Sequence, residues 1–496
     1  MDQTTANRAG GAGEAPNKRR WLLLFIFCLV PFMALLDANI VNVAMPVMSA
    51  GLSCSMKSIQ WVVTIYIITV SAVILIFGKL GDGLGKRAIF MLGVCMFTLG
   101  SLLCGTSVSL PMLIVSRVLQ AIGGAAAQSI NQALITICFP PSERGRALGI
   151  SGMSVAIGSL LGAPLGGLIV SVLSWHFIFL INVPFGVFTF LMTLKFLPKE
   201  DKIADAGAEL KAGAKFDFIG AVLLIVSISG IFLGLNLGVT YGYNAPEIFM
   251  LCAGAVLFAA FVFFEGRSGN PILDFGIFKN KMFSLSLLCA FLTFASTSGI
   301  QIINPFYLQD LRGMGPGAAA AVMVAFPLVG IVTAPLSGYA SDKLGSLKIT
   351  LAGLCILSFG LFLLSTMSAD LGIGLVWLFV AIVSFGNAVF NSPNTSMVMS
   401  SVPRRNLGVA GSLNALGRNL GIVFGIIIST SVFYSSMSYK IGYRVGGYVA
   451  GRPDVFIYGM RLAYLTAMAL CLLGAALTAY RMISGRRPRG AGAANS

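Results

Sequence analysis

Fourteen long apolar runs constrain this chain more than any other feature of its sequence. A helix needs about 20 apolar residues to cross a hydrocarbon core of about 30 Å. Runs of that length begin near Trp21, Ile59, Ala88, Pro111, Gly145, Ile178, Asp217, Glu247, Met282, Pro316, Lys348, Leu371, Asn406 and Val455. Of the 496 residues, 57% are hydrophobic and 10% charged, so the chain carries more apolar surface than a water-soluble core could bury. The sequence therefore predicts an all-α polytopic membrane protein with fourteen transmembrane helices, which we number spans 1 to 14.

The distribution of basic residues predicts the orientation of these spans. If the amino terminus is cytoplasmic, 25 of the 33 Lys and Arg residues fall on the cytoplasmic side and five on the outer side. Positive residues accumulate in cytoplasmic loops, so both termini are predicted to be cytoplasmic. The net charge of +16 is then explained by topology, and no nucleic-acid partner is expected.

A short glycine-rich turn occurs twice. Between spans 2 and 3 it reads GKLGDGLGKR (residues 78–87), and between spans 10 and 11 GYASDKLGSL (residues 338–347). Glycine permits positive φ and close backbone approach. The turns share one spacing, Gly78, Asp82 and Gly85 in the first and Gly338, Asp342 and Gly345 in the second. Further pairs lie 263 positions apart, namely Gly123–Gly386, Gln128–Asn391, Asn131–Asn394, Gly158–Gly421 and Gly162–Gly425. The chain is therefore predicted to contain two related six-helix halves.

The predicted domain organisation follows from this repeat. It comprises a disordered cytoplasmic arm (1–20), an N-terminal six-helix bundle (21–198), a cytoplasmic linker (199–216), two inserted helices (217–265), a second linker (266–281), a C-terminal six-helix bundle (282–482) and a basic cytoplasmic tail (483–496).

Asp37 in span 1 is, on this pattern, the only acidic residue buried in any span. A lone carboxylate at that depth costs about 2.5 to 3.5 kcal/mol on insertion scales, so we expect it to face a cavity or a partner. Such a carboxyl could take up and release a proton, or it could serve only as a structural hydrogen-bond acceptor. At 1.5 Å per residue, Asp37 lies about 15 Å and Arg117 about 9 Å from the outer ends of their spans. We therefore predict that Asp37 and Arg117 interact, directly or through water, at a level similar to that of Arg418.

Polar residues form stripes along three other spans. Span 4 carries Arg117, Gln120, Gly124, Gln128 and Asn131, span 9 carries Thr293, Thr297, Gln301 and Asn304, and span 12 carries Asn387, Asn391 and Asn394. Each stripe either lines a polar cavity or holds neighbouring helices together by hydrogen bonds.

Several of these motifs resemble the major facilitator superfamily. The turn at residues 78–87 resembles the signature loop between helices 2 and 3 of that family. Arg117, Gln120, Gly123 and Gly124 match its helix 4 motif, whose arginine is implicated in proton transfer. LDANIVNVAMP (residues 36–46), with Asn39 where a threonine is more usual, and WHFIFLINVPFG (residues 175–186) are similar to motifs of its fourteen-helix drug:proton antiporter branch.

The resemblance implies two six-helix bundles plus two inserted helices, with roles for individual residues. Proton coupling would rest on Asp37 and Arg117. The substrate cavity would be lined by Asn42, Gln120, Gln128, Asn131, Gln301, Asn304, Asn387, Asn391, Asn394 and Arg418. Conformational gating would involve Gly78, Asp82, Gly85, Lys86, Arg87 and Asp342. The antiporter glycine motif would be Gly158, Gly162, Pro164, Gly166 and Gly167, with Pro164 one place after the usual position.

The expected function is proton-coupled export of small amphipathic compounds by alternating access, in the plasma (inner) membrane of a prokaryote. The alternative is a proton-coupled or facilitative importer of a small metabolite with the same fold. With a single histidine and no phosphate-binding Gly-x-x-x-x-Gly-Lys loop, neither a metal site nor ATP hydrolysis nor enzymatic activity is expected. The expected partners are a small-molecule substrate, protons and the lipid bilayer, the expected energy source is the proton gradient without a cofactor, and the expected state is a monomer.

Overall fold

A computed structural model describes residues 17–198, 217–242, 244–445, 447–449 and 451–484. Within these ranges the regular structure is helical throughout, and fourteen helical spans are long and apolar enough to cross a membrane. In order they are Arg19–Gly51, Met56–Leu84, Lys86–Gly105, Leu110–Cys138, Arg144–Val172, Phe177–Phe196, Phe218–Gly238, Ala245–Glu265, Lys281–Leu311, Pro316–Leu344, Ser346–Ser365, Ile373–Ser400, Arg404–Ile441 and Pro453–Ile483. Each starts within three residues of its predicted start. The predicted all-α, fourteen-span architecture is confirmed.

Some spans differ from a single continuous helix. The interrupted ones are span 2 (Met56–Ile59 and Trp61–Leu84), span 6 (Phe177–Leu180 and Asn182–Phe196), span 9 (Lys281–Ser298, Ile300–Phe306 and a π-helical turn Tyr307–Leu311), span 10 (Pro316–Met323 and Ala325–Leu344) and span 13 (a 3-10 turn Arg404–Asn406 and Leu407–Ile441). Three helices extend past their spans, as Asn17–Gly51, Phe218–Tyr241 and Pro453–Ser484, and a 3-10 turn Phe275–Lys279 precedes span 9.

The terminal and linker segments of the predicted organisation fall mostly outside the described residues. This holds for all of the linker 199–216, for most of the arm 1–20 and for most of the tail 483–496. The helix of span 1 begins at Asn17, so the last four residues of the predicted disordered arm are helical.

Side-chain caps fix the start of several helices. Ser109 accepts a hydrogen bond from the Met112 N–H, Asp217 from the Gly220 N–H, and Asn280 from the Met282 and Phe283 N–H groups. Ser, Asp and Asn are the preferred N-cap residues because their oxygens satisfy backbone N–H groups that lack a partner in the first turn.

The described residues form two compact units. The first runs to Lys279 and also includes Met399–Leu416, and the second comprises Asn280–Val398 and the residues from Gly417 onward. Spans 7 and 8 therefore belong to the first unit. Its core contains apolar clusters around Phe27 and Phe90 and around Ile40 and Phe179, and the core of the second unit contains a larger cluster that includes Tyr307 and Phe390. The predicted domain boundaries remain predictions.

Glycines allow the third and fourth helices of each half to cross at backbone distance. In the first unit, a Cβ at Gly123 would collide with the backbone nitrogen of Phe97. In the second unit, a Cβ at Gly386 would collide with the backbone nitrogen of Leu357. The repeat found in the sequence thus corresponds to the same helix crossing in both halves.

The two signature turns share their backbone conformation. Gly85 (φ 107°) separates spans 2 and 3, and Gly345 (φ 90°) separates spans 10 and 11. Positive φ is therefore confirmed at these two glycines. Gly78 is helical instead, and a Cβ there would lie 2.6 Å from the Gly408 carbonyl oxygen, so this glycine permits close approach.

Candidate functional site

The centre of the candidate site is a buried ion pair between spans 1 and 4. Arg117 Nη1 lies 2.7 Å from Asp37 Oδ2, and the two side chains are 1% and 0% exposed. The predicted interaction between Asp37 and Arg117 is therefore direct, and the carboxyl faces the interior of the first unit. A buried pair of this kind is costly to desolvate and needs further hydrogen bonds to be tolerated.

Amide and hydroxyl groups supply those hydrogen bonds. Gln120 Nε2 donates to Asp37 Oδ1 (3.0 Å) and to Ser101 Oγ (2.8 Å), and Gln120 Oε1 accepts from Arg117 Nη1 (2.6 Å). Asn182 Nδ2, from span 6, also donates to Asp37 Oδ1 (2.9 Å). Three N–H donors from two spans thus converge on one carboxyl group.

The guanidinium of Arg117 is also held on its other sides. Its Nε donates to the Val62 carbonyl oxygen (3.1 Å), and its Cζ lies 4.4 Å from the Tyr66 ring centroid and 5.5 Å from that of Phe179. Aromatic faces attract a desolvated cation. Arg117 is therefore fixed by spans 1, 2, 4 and 6 together.

The charge of Asp37 and the position of Arg117 depend on each other in this arrangement. An ionised carboxylate offers about four lone-pair directions, and three donors already occupy Asp37. A proton on Asp37 would remove the charge that compensates Arg117. Breaking one partner of a buried pair costs about 3 to 5 kcal/mol, so protonation of Asp37 would favour another arrangement of the helices around Arg117.

Asp82 of the first signature turn binds the start of span 13. Its Oδ1 accepts from the Gly408 N–H (2.8 Å) and its Oδ2 from the Val409 N–H (2.9 Å), in the first turn of the helix Leu407–Ile441. Helix N-termini attract carboxylates through unpaired N–H groups and the helix dipole. Lys86 Nζ also contacts Asp82 Oδ1 (2.8 Å), so the turn and the helix terminus form one charged cluster.

The other predicted gating residues occupy related positions. Arg87 Nη2 donates to the Leu194 carbonyl oxygen near the end of span 6 (3.0 Å). Asp342 lies half-buried in the last turn of span 10, three residues before Gly345.

The glycine stripe of span 5 packs on span 1. A Cβ at Gly158 would lie 2.5 Å from the Phe32 carbonyl oxygen, one at Gly162 2.5 Å from Asn39 Cβ, and one at Gly166 3.1 Å from Ile40 Cα. A Cβ at Gly167 would meet no atom within 4 Å. Pro164 lies within the continuous helix Arg144–Val172. The first three glycines of the motif therefore let span 5 pack closely on span 1, whereas Gly167 takes no part in this contact.

Of the predicted cavity residues of the first unit, Gln120 belongs to the hydrogen-bond network of the ion pair. Asn42 is exposed on span 1, Gln128 is half-buried and Asn131 is 4% exposed. The Asn131 Oδ1 atom is buried and has no hydrogen-bond partner among the described residues.

Those of the second unit divide into two groups. Asn304 accepts a hydrogen bond from the Tyr464 hydroxyl (2.5 Å), and Asn394 Nδ2 donates to the Ser286 carbonyl oxygen (3.1 Å), so both connect helices. Gln301 is exposed, whereas Asn387, Asn391 and Arg418 are half-buried. Asn304 Nδ2, Asn387 Oδ1 and Asn394 Oδ1 are buried without a partner in the described part of the chain. The cavity assignment remains a prediction.

The structure adds residues that the sequence did not single out. Asn182 and Ser101 belong to the Asp37 network, and Asn182 lies inside the motif at residues 175–186, which was the available signal. The expectation that Asp37 is the only buried acid in any span is wrong, because Glu265 at the end of span 8 is 2% exposed. The segment after span 8 covers it, with the Leu273 N–H donating to Glu265 Oε1 (2.6 Å). Among the described residues, no group of three or more His, Cys, Asp or Glu side chains could hold a metal ion.

Comparisons with known proteins agree with this architecture. Residues 27–426 match a family model described as Major Facilitator Superfamily. The chain is 31% identical over 465 residues to a riboflavin transporter, RibZ, of Clostridioides difficile (94% of this chain, 98% of the relative). It is 30% identical over 424 residues to a multidrug resistance protein, Stp, of Mycobacterium tuberculosis (85% of this chain, 77% of the relative).

Solved structures share the fold at low sequence identity. The human organic anion transporter MFSD10 (TETRAN) superposes with a TM-score of 0.61 at 16% identity, covering 94% of this chain and 100% of that chain. The proton:xylose symporter XylE gives 0.60 at 11% identity, covering 94% and 96%.

Proposed function

This chain belongs to the major facilitator superfamily, and from that premise we propose that it is a proton-coupled antiporter of the fourteen-helix drug exporter branch. It exports small amphipathic compounds by alternating access. The observation that carries the proposal is the buried Asp37–Arg117 pair with its amide ligands, because it joins spans 1, 4 and 6 through one titratable group. The multidrug resistance protein among its relatives supports export as the direction of transport.

The proposed cycle uses Asp37 as the proton carrier. With Asp37 ionised, Arg117 is neutralised and the network is closed. Protonation from the outer side releases Arg117 and favours the rearranged bundle, and deprotonation toward the cytoplasm restores the pair. Substrate binding and protonation of Asp37 exclude each other, so that the inward proton gradient drives substrate out.

Gating is proposed to depend on Asp82. Two backbone N–H groups at the start of span 13 and the Lys86 ammonium all contact this carboxylate. Their separation would free the turn between spans 2 and 3. Hydrogen bonds to charged groups contribute about 1.5 to 3 kcal/mol each, enough for Asp82 to bias one access state.

The polar residues predicted to line the cavity are proposed to contact substrate through their unpaired amide atoms. Asn131 and Asn387 are the strongest candidates, because each has a buried carbonyl oxygen without a described partner and neither uses its side chain to bridge helices in a described hydrogen bond. The protein is proposed to be located in the bacterial inner membrane, as a monomer with both termini cytoplasmic and without a cofactor.

One alternative has a specific observation in its favour. The riboflavin transporter relative covers nearly the whole chain, which is consistent with an importer of a metabolite. The two directions differ in the sign of proton movement. When substrate is added outside everted vesicles, antiport acidifies the medium and symport makes it alkaline.

The central test is Asp37→Asn in everted vesicles. We expect gradient-driven transport to fall to the level of vesicles without the protein, while substrate binding to the purified variant is retained. Asn at this position still accepts a hydrogen bond but cannot carry a proton. Full gradient-driven transport by Asp37→Asn would remove Asp37 from the mechanism. Glu247→Gln, which changes an acid in the first turn of span 8, is the matched control.

A further inference from the structure

Two carboxyl groups meet where spans 7 and 8 lie side by side. Asp217 caps the start of span 7, and Glu265 is the last residue of span 8. The two helices pack against each other within the first unit. Because the spans are antiparallel neighbours, the start of one and the end of the other reach the same membrane face, which the distribution of basic residues predicts to be cytoplasmic.

In each carboxyl, one oxygen accepts a hydrogen bond from a backbone N–H group, and the backbone N–H of Ile272 also acts on the Glu265 carboxyl. Asp217 Oδ1 accepts from the Gly220 N–H (2.7 Å), and Glu265 Oε1 accepts from the Leu273 N–H (2.6 Å). These bonds fix the helix start and the segment that follows span 8. They also determine where the remaining oxygen of each carboxyl points.

The remaining oxygens converge on Gly220. A Cβ at Gly220 would lie 2.7 Å from Glu265 Oε2 and 3.0 Å from Asp217 Oδ2. Both atoms are buried, and neither has a hydrogen-bond partner among the described residues. The Glu265 side chain as a whole is also buried. Two carboxylates that share a small buried volume cannot both remain ionised without a compensating positive charge.

The ammonium group of Lys79 also acts on one of these two carboxyl groups. Lys79, in the first signature turn, acts electrostatically on Glu265, as does Asp217 with the opposite effect. In the part of the chain that the structure describes, Lys79 and Glu265 do not form an ion pair. The free oxygens of the two carboxyls therefore have a polar ligand still to be assigned.

We propose that Asp217 and Glu265 form a second proton-binding site, in which Asp217 Oδ2 and Glu265 Oε2 share one proton as a carboxylic acid–carboxylate hydrogen bond. The proton comes from bulk water and returns to it, and no other bond changes. A divalent cation fits less well, because Mg²⁺ and Ca²⁺ take six or more oxygen ligands and this site offers two free oxygens.

The site gives the inserted helices a connection to the gating turn. Loss of the shared proton increases the negative charge that faces Lys79 by one unit, and Lys79 directly follows Gly78. The proton-binding site itself does not depend on the direction of transport or on Asp37. Only its effect on gating rests on the function proposed above.

The test is infrared difference spectroscopy of the purified protein, recorded at neutral pH in H₂O and D₂O. We expect a carbonyl band of a protonated carboxyl group that shifts in D₂O, is absent in Glu265→Gln, and changes frequency or disappears in Asp217→Asn. Both substitutions keep the acceptor atom for the backbone N–H, and Asn remains a good N-cap. Asp274→Asn, which changes an exposed acid of the loop after span 8, should leave the band unchanged.

Three results would overturn the proposal. Absence of any band that depends on Glu265 would mean that both groups are ionised. A band unchanged in Asp217→Asn would mean that Glu265 is protonated alone. Thermal stabilisation by Na⁺ or Mg²⁺ that Glu265→Gln removes, without the band, would identify a cation site instead. Gel filtration and melting curves confirm that each variant is folded, and failure of the Asp37→Asn transport test would leave this experiment unaffected.

Discussion

The two six-helix halves share their backbone packing but differ in the chemistry at the same junction. In the first unit, a Cβ at Gly158 would lie 2.5 Å from the Phe32 carbonyl oxygen, and in the second, a Cβ at Gly421 would lie 2.6 Å from that of Phe291. Asp37 follows Phe32 by the same number of residues as Ser296 follows Phe291. Ser296 therefore occupies the place of Asp37 in the second half, where its hydroxyl bonds to the Leu292 carbonyl oxygen of its own helix (2.7 Å).

The partners of Asp37 change in the same way. Gly100 packs on Gln120, and its counterpart Gly360 packs on Val383. Arg117, one turn before Gln120, thus corresponds to Val380, and both valines are fully buried. The three corresponding residues of the second half, Ser296, Val380 and Val383, are all uncharged. Because the second half packs the corresponding junction with apolar residues, we expect that helix packing at this junction does not require the ion pair of the first half.

The largest expected effect comes from making the first half resemble the second. Asp37→Ser combined with Arg117→Met and Gln120→Met removes both charges and one of the two amide side chains of the network, leaves Asn182 in place, and keeps most of the volume. Replacing a buried ion pair with apolar residues of similar size is often neutral or stabilising by about 1 to 4 kcal/mol. We expect a folded protein with undiminished unfolding free energy in detergent and no gradient-driven transport in vesicles.

Two outcomes of this experiment would contradict the comparison of the two junctions. If the triple variant still transports against a gradient, the charges of the first half are not the coupling element. If it fails to fold while the three single variants fold, the two junctions are not equivalent in packing.

The next effect is that of removing one charge alone. Arg117→Met leaves Asp37 buried beside two amide donors, Gln120 and Asn182, without its cation, which should lower the unfolding free energy by about 3 to 5 kcal/mol. Adding Asp37→Ser should recover most of that loss without restoring transport. The exposed pair Arg452–Asp454 is the control, and Arg452→Met should leave the melting temperature unchanged. Equal stability of Arg117→Met and the wild type would show that the pair is screened by water.

The difference between the halves also shows what sequence could and could not predict. Span positions follow from hydropathy alone, and depth counting predicted that Asp37 and Arg117 meet. Asn182 was not predicted to contact Asp37, which lies 145 positions earlier in the chain. The helical period shows which residues share a face of span 6, but it does not show which residues of another span that face contacts. Glu265 is the last residue of an apolar run, a position at which an acidic side chain is normally exposed. Its burial depends on the segment that follows span 8, and the sequence did not show that this segment folds back over it. Gly167 adjoins a stripe of period four, but one residue further around the helix it faces open space.

A smaller effect tests whether the halves are equivalent where their packing agrees. Gly158→Ala and Gly421→Ala each force a methyl group against a carbonyl oxygen, so we expect both to lower the unfolding free energy by about 1 to 3 kcal/mol. Gly167→Ala, on the same helix as Gly158 but in open space, should be neutral or stabilise by up to about 1 kcal/mol. Thermal unfolding of the three variants measures this directly. A large loss of unfolding free energy for Gly158→Ala with none for Gly421→Ala would mean that the two helix contacts have similar geometry but contribute differently to stability.

The smallest expected effect is that of Ser101→Ala. Ser101 follows Gly100 as Leu361 follows Gly360, so this position is apolar in the second half. Gln120 Nε2 loses the Ser101 hydroxyl but still donates to Asp37 Oδ1 (3.0 Å), so the unfolding free energy should fall by about 1 kcal/mol. Transport should be close to that of the wild type, measured in the same vesicles as the triple variant. If Ser101→Ala instead reduced transport as far as Asp37→Asn does, the charge on Asp37 would not be the sole coupling element. The whole hydrogen-bonded network would then act as a unit. The functional difference between the two halves would lie in the presence of this network, and not in the charge of Asp37 alone.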